Sequence, residues 1–368
     1  MSASSDAAPA TRTDTLTLHL RTPVADERPV YVVGNFNNWE VADPRYRLQP
    51  AADGYRIDLP TGELEFPFEY KYTKGDWSHV ELDRYGNTTN NRRQAYPHAE
   101  VHDYVPRWEL NGLSYNPALL PKIEVLTIEG HIPDNIKTRR IAALLPHDYY
   151  ESDKRYPVLY LQDGQNLFDE HAPFGNWAVD KKLAVLQEQG LGDLIVIAID
   201  HAKEKRAKEF TPSYNTTLGV GEGRRYVRFL ADRLKPYVDG QYRTLSDRTH
   251  TGIGGSSMGG LVSIYAGLMY PELYSKLLIF SPALWVAPNI ARYAMGAYEW
   301  GGTQIYLYAG AAESKNMVPN VQRFKAALEG AGLHEFDFKL SIDPHGTHNE
   351  EAWGREFGKA IRWLFPGA

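Results

Sequence analysis

Gly255-Ser256-Ser257-Met258-Gly259 is the stretch of this 368-residue chain whose residue types and spacing most directly permit covalent chemistry. A serine in G-x-S-x-G becomes a useful nucleophile when a sharp strand-to-helix turn lifts its hydroxyl above a sheet. The flanking glycines let the chain pass close to its neighbours, and the first N–H groups of the helix face an oxyanion. Residues 251–254 read as a strand and 259–269 as a helix. Ser257 is therefore the expected nucleophile and the Met258 N–H an expected oxyanion donor. Ser256 fits less well, with Gly254 two positions before it but Met258 two positions after.

A serine hydroxyl needs a base, and on this kind of turn the partners follow in the order Ser, acid, His. His334, His345 and His348 lie beyond Ser257. His334 precedes the last expected strand and so falls on the wrong edge, whereas His345 and His348 both follow it. Geometry leaves both of these open. The acid should follow the strand at 305–308, where Glu313 is the only carboxylate of Ala309-Gly310-Ala311-Ala312-Glu313-Ser314. Its work would be to hold the imidazole tautomer. A solvated loop glutamate is the alternative reading, with Asp343 as fallback acid. A second oxyanion donor is expected from Gln162-Asp163-Gly164-Gln165-Asn166, after the strand at 157–161. There Gly164 lets the backbone turn, and the N–H of Gly164 or Gln165 would face the oxyanion.

The elements that must position these residues come in two kinds. From residue 15 to 105 short alternating runs such as Leu16-Thr17-Leu18-His19-Leu20 and Phe68-Glu69-Tyr70-Lys71-Tyr72 are separated by turn residues, the pattern of a small all-β, immunoglobulin-like sandwich. Residues 1–14 read as a disordered tail and 106–121 as a linker. From 122 to 368, near-continuous apolar strands (157–161, 194–199, 251–254, 277–280, 305–308, 336–342) alternate with amphipathic helices (178–188, 224–238, 259–269, 319–329, 349–365). That alternation predicts an α/β fold, a doubly wound parallel sheet covered on both faces, with 124–129 and 139–145 as an antiparallel start. Ligands of such sheets sit beyond the carboxyl ends of the strands, which is where every candidate above lies.

Composition narrows the chemistry. The 40 Lys+Arg against 46 Asp+Glu, a formal net charge of −6, oppose nucleic-acid binding. The absence of cysteine excludes disulfides, thiolate metal sites and cysteine nucleophiles. No apolar run reaches bilayer length, so no membrane role is expected. The start of the chain lacks a basic region followed by an apolar stretch, so the expected location is the cytoplasm, or outside it if a leader has been removed.

Tyr160-Leu161-Gln162-Asp163-Gly164-Gln165-Asn166-Leu167-Phe168, the segment Arg206 to Pro212, Gly255 to Gly260, Ser281-Pro282-Ala283-Leu284-Trp285, and His348-Asn349-Glu350 with Trp353 together resemble one α/β-hydrolase family. It includes enterochelin esterases, feruloyl and acetylxylan esterases of carbohydrate esterase family 1, esterase D and mycolyltransferases. The resemblance runs from about residue 123 to the end. Asp-Gly-Gln-Asn-Leu-Phe brings it nearest the enterochelin-esterase-like branch. It implies a serine esterase working through an acyl-enzyme, with Ser257, Glu313 and His348 as triad and no cofactor or metal. Arg206, Asp163 and Trp285 are expected at the substrate pocket, although a core position suits Trp285 nearly as well. Phe210 stands where many relatives have tyrosine.

Gly34-Asn35-Phe36-Asn37-Asn38-Trp39, Tyr70-Lys71-Tyr72 and Gly75-Asp76-Trp77 resemble the glycogen-binding module of the AMP-activated kinase β subunit and branching enzymes. The resemblance implies a glycan partner stacked on Trp39 and Trp77 and bonded by Lys71. A sugar-free early-set domain is the competing reading, and Asn90-Asn91-Arg92 departs from the kinase module. Of the minor signals, Gly219-Val220-Gly221-Glu222-Gly223 lacks the Lys-Ser/Thr of a phosphate loop, and Arg206 and Glu209 are spaced to pair with each other. The expectation is an ester hydrolase acting on a small-molecule or oligosaccharide ester, carbohydrate-linked (acetyl or feruloyl) or of siderophore type. Rivals are an acyltransferase to a sugar acceptor, a non-catalytic glycan-binding protein and a peptidase on the same fold.

Overall fold

The computed structural model describes residues 14–23, 26–96, 99–127, 139–291, 302–330 and 338–368. Residues 1–13 of the expected N-terminal tail and His334 lie outside them. The chain divides into two compact units, Met1–Tyr115 and Asn116–Ala368.

The first unit is built from β1 (Thr15–Arg21), β2 (Tyr31–Gly34), β3 (Gln49–Ala51), β4 (Gly54–Pro60), β5 (Phe68–Thr73), β6 (Glu81–Leu82), β7 (Arg92–Gln94), β8 (Glu100–Tyr104) and β9 (Arg107–Trp108). One sheet has the order β3-β4-β1-β8, a second β2-β5-β7, and β6 pairs with β9. Alternation along β1 turns Leu16, Leu18 and Leu20 inward, where they meet Val32 of β2 and Phe68, Tyr70 and Tyr72 of β5 in one core. Side chains from both sheets thus fill a common interior, as in a sandwich. The segment read as a linker does more than connect. Trp108 is buried in this core, and its indole donates to Thr22 Oγ1 at 3.0 Å. An aromatic side chain of that size contributes more apolar burial than a surface linker needs, which is why the unit extends past residue 105.

The second unit carries an eight-stranded sheet ordered β10-β11-β13-β12-β14-β15-β16-β17. These are β10 (Lys122–Val125), β11 (Ile141–Leu145), β12 (Val158–Gln162), β13 (Ile195–Ile199), β14 (Thr251–Ser256), β15 (Lys276–Phe280), β16 (Gln304–Gly310) and β17 (Phe338–Asp343). The first two pairings, β10 with β11 and β11 with β13, are antiparallel, and the rest are parallel. β11, β12 and β13 are buried at every position because helices cover both faces. The α-helices given bounds among the described residues are α1 (Val179–Gln187), α2 (Arg206–Phe210), α3 (Gly223–Phe229), α4 (Lys235–Gln241), α5 (Met258–Met269), α6 (Met317–Glu329) and α7 (Glu350–Leu364). The single helix expected over 224–238 contains a π segment, Leu230–Leu234, between α3 and α4.

Candidate active site

β14 ends at Ser256 and α5 begins at Met258, so Ser257 occupies the one-residue turn between them. Its backbone is left-handed, φ 53 and ψ −120. That conformation is costly for a residue with a Cβ and recurs at functional turns. The flanking glycines are required by space. A Cβ on Gly255 would lie 3.0 Å from Gln162 Cβ, and one on Gly259 would lie 2.9 Å from Asp163 Oδ2. The elbow is packed against the end of β12.

Glu313 lies in the loop between β16 and α6, and His348 lies just before α7, whose N-cap Asn349 accepts the Ala352 N–H at 2.9 Å. The two loops are tied together by Ala311 N–H to Asp343 O (2.8 Å) and Ala312 N–H to Gly346 O (3.1 Å). His348 Nδ1 is 2.7 Å from Glu313 Oε2. A carboxylate only accepts, so Nδ1 carries the proton and Nε2 is left as the acceptor. Glu313 Oε1 accepts from Ser281 Oγ at 2.6 Å and from Gly310 N–H at 2.7 Å. Ser281 in turn accepts from the Trp353 indole at 2.9 Å, and the Trp353 ring stands edge-on to His348, centroids 4.9 Å apart at 84°. The four side chains form a closed ring of contacts around an acid whose side chain is 2% exposed, while the histidine is 41% exposed.

His348 and Ser257 line one cavity of about 360 Å³, with Asp163, Asn166, Phe174, His201, Arg206, Ser256, Glu350 and Trp353. Among the described residues no hydrogen bond joins Ser257 Oγ to His348; such bonds are often long in free enzymes and tighten around a substrate. Met258 is the first residue of α5, and Gly164 and Gln165 open the 3-10 turn Gly164–Asn166. Backbone N–H groups at these positions have no partner within their own helices. The left-handed residue of that loop is Asp163 (φ 59), not Gly164. Gly164 is needed for a different reason: a Cβ there would meet Asp200 Oδ1 at 2.8 Å and Ala198 C at 2.9 Å.

The expected pairing of Arg206 with Glu209 is not formed. Arg206 grips Asp163 in a two-toothed contact, Nε to Oδ1 2.7 Å and Nη2 to Oδ2 2.8 Å. Glu209 turns inward and pairs with Arg139 at 2.7 and 2.9 Å, both side chains 3% exposed. A guanidinium fork selects the carboxylate that offers both oxygens in one plane, and tertiary packing decides which one that is. Trp285 belongs neither to the core nor to the serine cavity. It is 57% exposed and lines a neighbouring groove with Leu284, Asn316 and Phe324. His345 is exposed, and its backbone N–H rather than its ring is engaged, on Asp343 Oδ1.

Six cavity or support residues escaped the sequence reading: Ser281, Trp353, Asn166, Glu350, Phe174 and His201. The first four lie within motifs quoted above, but their partners are remote in sequence; Phe174 and His201 lie in none of those motifs. Asn166 Nδ2 donates to Glu350 Oε1 at 3.1 Å. Burial, with the nearby Asp163 charge adding to it, holds the Glu350 carboxyl above the usual range. Burial likewise lowers His201 below that of a free imidazole. No trio of His, Asp or Glu ligand atoms converges on this cavity among the described residues.

In the first unit, Trp77 is 49% exposed and Trp39 partly buried. Gly34 pairs with Tyr70 and Tyr31 with Thr73, so the turn carrying Trp39 leaves one end of this strand pair and that carrying Trp77 the other. The Lys71 ammonium donates to the Thr89 carbonyl. No ring contact or cavity among the described residues joins the three.

A family model described as "Putative esterase" matches residues 136–364. The Bacillus subtilis uncharacterized protein YbbA is 24% identical over 240 residues, 62% of this chain and 92% of its own. The solved enterobactin esterase FES of Shigella flexneri shares the fold with a TM-score of 0.52 at 17% identity, covering 94% of this chain and 92% of that one. A ferulic acid esterase of Anaeromyces mucronatus gives a TM-score of 0.50 at 18% identity, covering 66% of this chain and 90% of that one.

Proposed function

From the premise that this chain belongs to the esterase family and is a carboxylic ester hydrolase, we propose that Ser257, His348 and Glu313 carry the reaction through an acyl-enzyme. The observation that carries the reading is the 2.7 Å contact of His348 Nδ1 with a buried, triply bonded Glu313, in a cavity shared with a serine held at a strained elbow. His348 Nε2 takes the proton of Ser257 Oγ as the oxygen attacks the ester carbonyl, and returns it to the departing alcohol. The N–H groups of Met258 and of Gly164 or Gln165 receive the oxyanion. Water then enters and attacks the acyl carbon, giving a proton to Nε2, and Nε2 returns that proton to Ser257 Oγ as the bond to the serine breaks and the acid leaves. The 41% exposure of His348 admits that water.

The substrate class we infer is an ester of a carbohydrate, acetyl or feruloyl, or of a siderophore. The names of the structural relatives, an enterobactin esterase and a ferulic acid esterase, support this. The cavity offers Arg206, Asn166 and Glu350 to polar groups, and Phe174, 75% exposed, to an aromatic face. On the first unit, the half-exposed Trp77 supports a weak glycan contact at its own turn; Trp39 lies at the other end of the strand pair and Lys71 is bonded to Thr89, so neither shares it.

The test is a panel of acetyl, feruloyl and siderophore esters run on the wild-type chain and on Ser257→Ala and Ser256→Ala. The Ser257 variant is expected to lose at least about 10³-fold in kcat and all fluorophosphonate labelling, the Ser256 variant far less. Reversal of the two would move the nucleophile. Tryptophan fluorescence titrated with maltoheptaose, xylohexaose and cellohexaose, with Trp39→Ala as control, tests the glycan contact. No response to any of them removes it.

A further inference from the structure

The ligand atoms that the ester chemistry leaves unused gather on the outer face of the first unit. β1 and β8 pair in parallel, with His19 opposite His102 and Thr17 opposite Glu100. Side chains alternate along each strand, so while Leu18 and Leu20 enter the core, His19 faces outward, and Glu100 and His102 are exposed beside it on β8. The two imidazoles lie nearly parallel, centroids 4.6 Å apart at 11°. Glu100 Oε2 is 3.6 Å from His102 Nε2. One ligand atom from each of His19, Glu100 and His102 lies within 4.8 Å of the other two. No hydrogen bond to either ring is formed among the described residues.

We propose that His19, Glu100 and His102 bind a divalent transition-metal ion of the zinc class. Two neutral imidazoles and one carboxylate are a zinc donor set that leaves a position for water, and imidazole selects Zn²⁺, Ni²⁺ or Cu²⁺ over Mg²⁺ or Ca²⁺. Tetrahedral ligation with bonds of about 2.0–2.1 Å places donor atoms roughly 3.3 Å apart. The atoms are at most 4.8 Å apart, so the trio has to close by no more than about 1.5 Å, within reach of a rotamer adjustment in surface side chains. The cation nearest in register is Arg56, opposite His19 on β4. Asp58 already neutralises it through bonds of 2.9 to 3.1 Å, so it offers little repulsion to an incoming ion. β8 is the edge strand of its sheet. An ion held here fastens that edge to β1, joining two strands from opposite ends of the unit's sequence, the kind of long loop whose closure costs most entropy. The role is structural and independent of the ester reaction.

The full chain, freed of metal, is titrated with zinc chloride by calorimetry in a non-chelating buffer near neutral pH, and its melting followed with and without zinc. One equivalent is expected to bind and to raise the melting temperature by mass action. His19→Ala and His102→Ala should each weaken binding at least about tenfold and abolish the shift. Glu100→Gln should weaken it less, and His345→Ala not at all. Ester hydrolysis by the His19/His102 variants should equal that of the wild type, and their melting and far-UV circular dichroism without zinc should match those of the metal-free wild type, which shows that the first unit folds. Stoichiometric binding that survives the double His19/His102 variant, or no binding by the wild-type chain, overturns the proposal.

Discussion

Replacing Ser281 by alanine should slow the reaction without touching the substrate. Ser281 is fully buried and does not line the serine cavity. Its hydroxyl donates to Glu313 Oε1 at 2.6 Å and accepts from Trp353 Nε1 at 2.9 Å. A hydrogen bond to a charged group contributes about 1.5–3 kcal/mol, and an unmet buried donor costs about 1–3 kcal/mol. Glu313 keeps the Gly310 N–H on the same oxygen, so the acid is loosened rather than freed. If the whole of the charged bond is felt when imidazolium forms, the lower bound of 1.5 kcal/mol corresponds to about tenfold in kcat and the upper to roughly a hundredfold. KM for p-nitrophenyl acetate should change little, because no cavity contact is lost. Backbone strain is held constant: Ser281 has φ +43, and alanine has the same Cβ as serine. Ser281→Gly removes both the strain and the hydroxyl, so it should be as slow as the alanine variant yet unfold at higher denaturant. Steady-state kinetics paired with urea unfolding separates the two effects. A folded Ser281→Ala variant with kcat within twofold of wild type refutes the argument that the acid is positioned through this hydroxyl.

His348→Ala should cost nearly as much in kcat as Ser257→Ala, since the members act as a unit, with Glu313→Gln milder and His345→Ala close to wild type; full activity in His348→Ala with loss in His345→Ala reverses the assignment. Glu350 has its carboxyl raised by burial, so its folded pKa exceeds the unfolded one. Its contribution to stability is present below the unfolded value and is lost as pH rises through the folded one. Glu350→Gln should therefore gain in melting temperature relative to wild type as pH goes from about 4 to 7, and an unchanged difference across that range contradicts the shift. Glu209→Ala leaves Arg139 without its carboxylate in a buried setting, and urea unfolding should show a loss of about 3–5 kcal/mol; a loss under 1 kcal/mol would mean water or another group takes over.

What the sequence made readable was whatever sits at the end of a strand and is announced locally. Ser257 lies in a five-residue pattern between a strand buried at every position and an apolar helix. Glu313 is the sole carboxylate of its loop, and His348 immediately precedes an N-cap asparagine. Ser257 and Glu313 need only their own neighbours to be singled out, because a doubly wound sheet brings the carboxyl ends of its strands to one side; the choice of His348 over His345 rests on the family resemblance. What the sequence hid was pairing across elements. The i, i+3 spacing of Arg206 and Glu209 favours a surface pair, but α2 is only five residues long and presents one of them to Asp163 and the other to Arg139. Tertiary packing overrides local spacing there. Ser281 looked like part of a motif and proved to be the link between acid and indole. His19 and His102 share no local pattern, since only the parallel register of β1 with β8 sets them side by side. The division has a chemical consequence. On the proposed triad, a substitution in the locally announced set removes a reacting or proton-carrying group, whereas one in the cross-element set changes how firmly that group is held. The first should abolish turnover on every ester. The second should lower it by a factor set by one or two hydrogen bonds, and that gradation is what separates the triad from its supports.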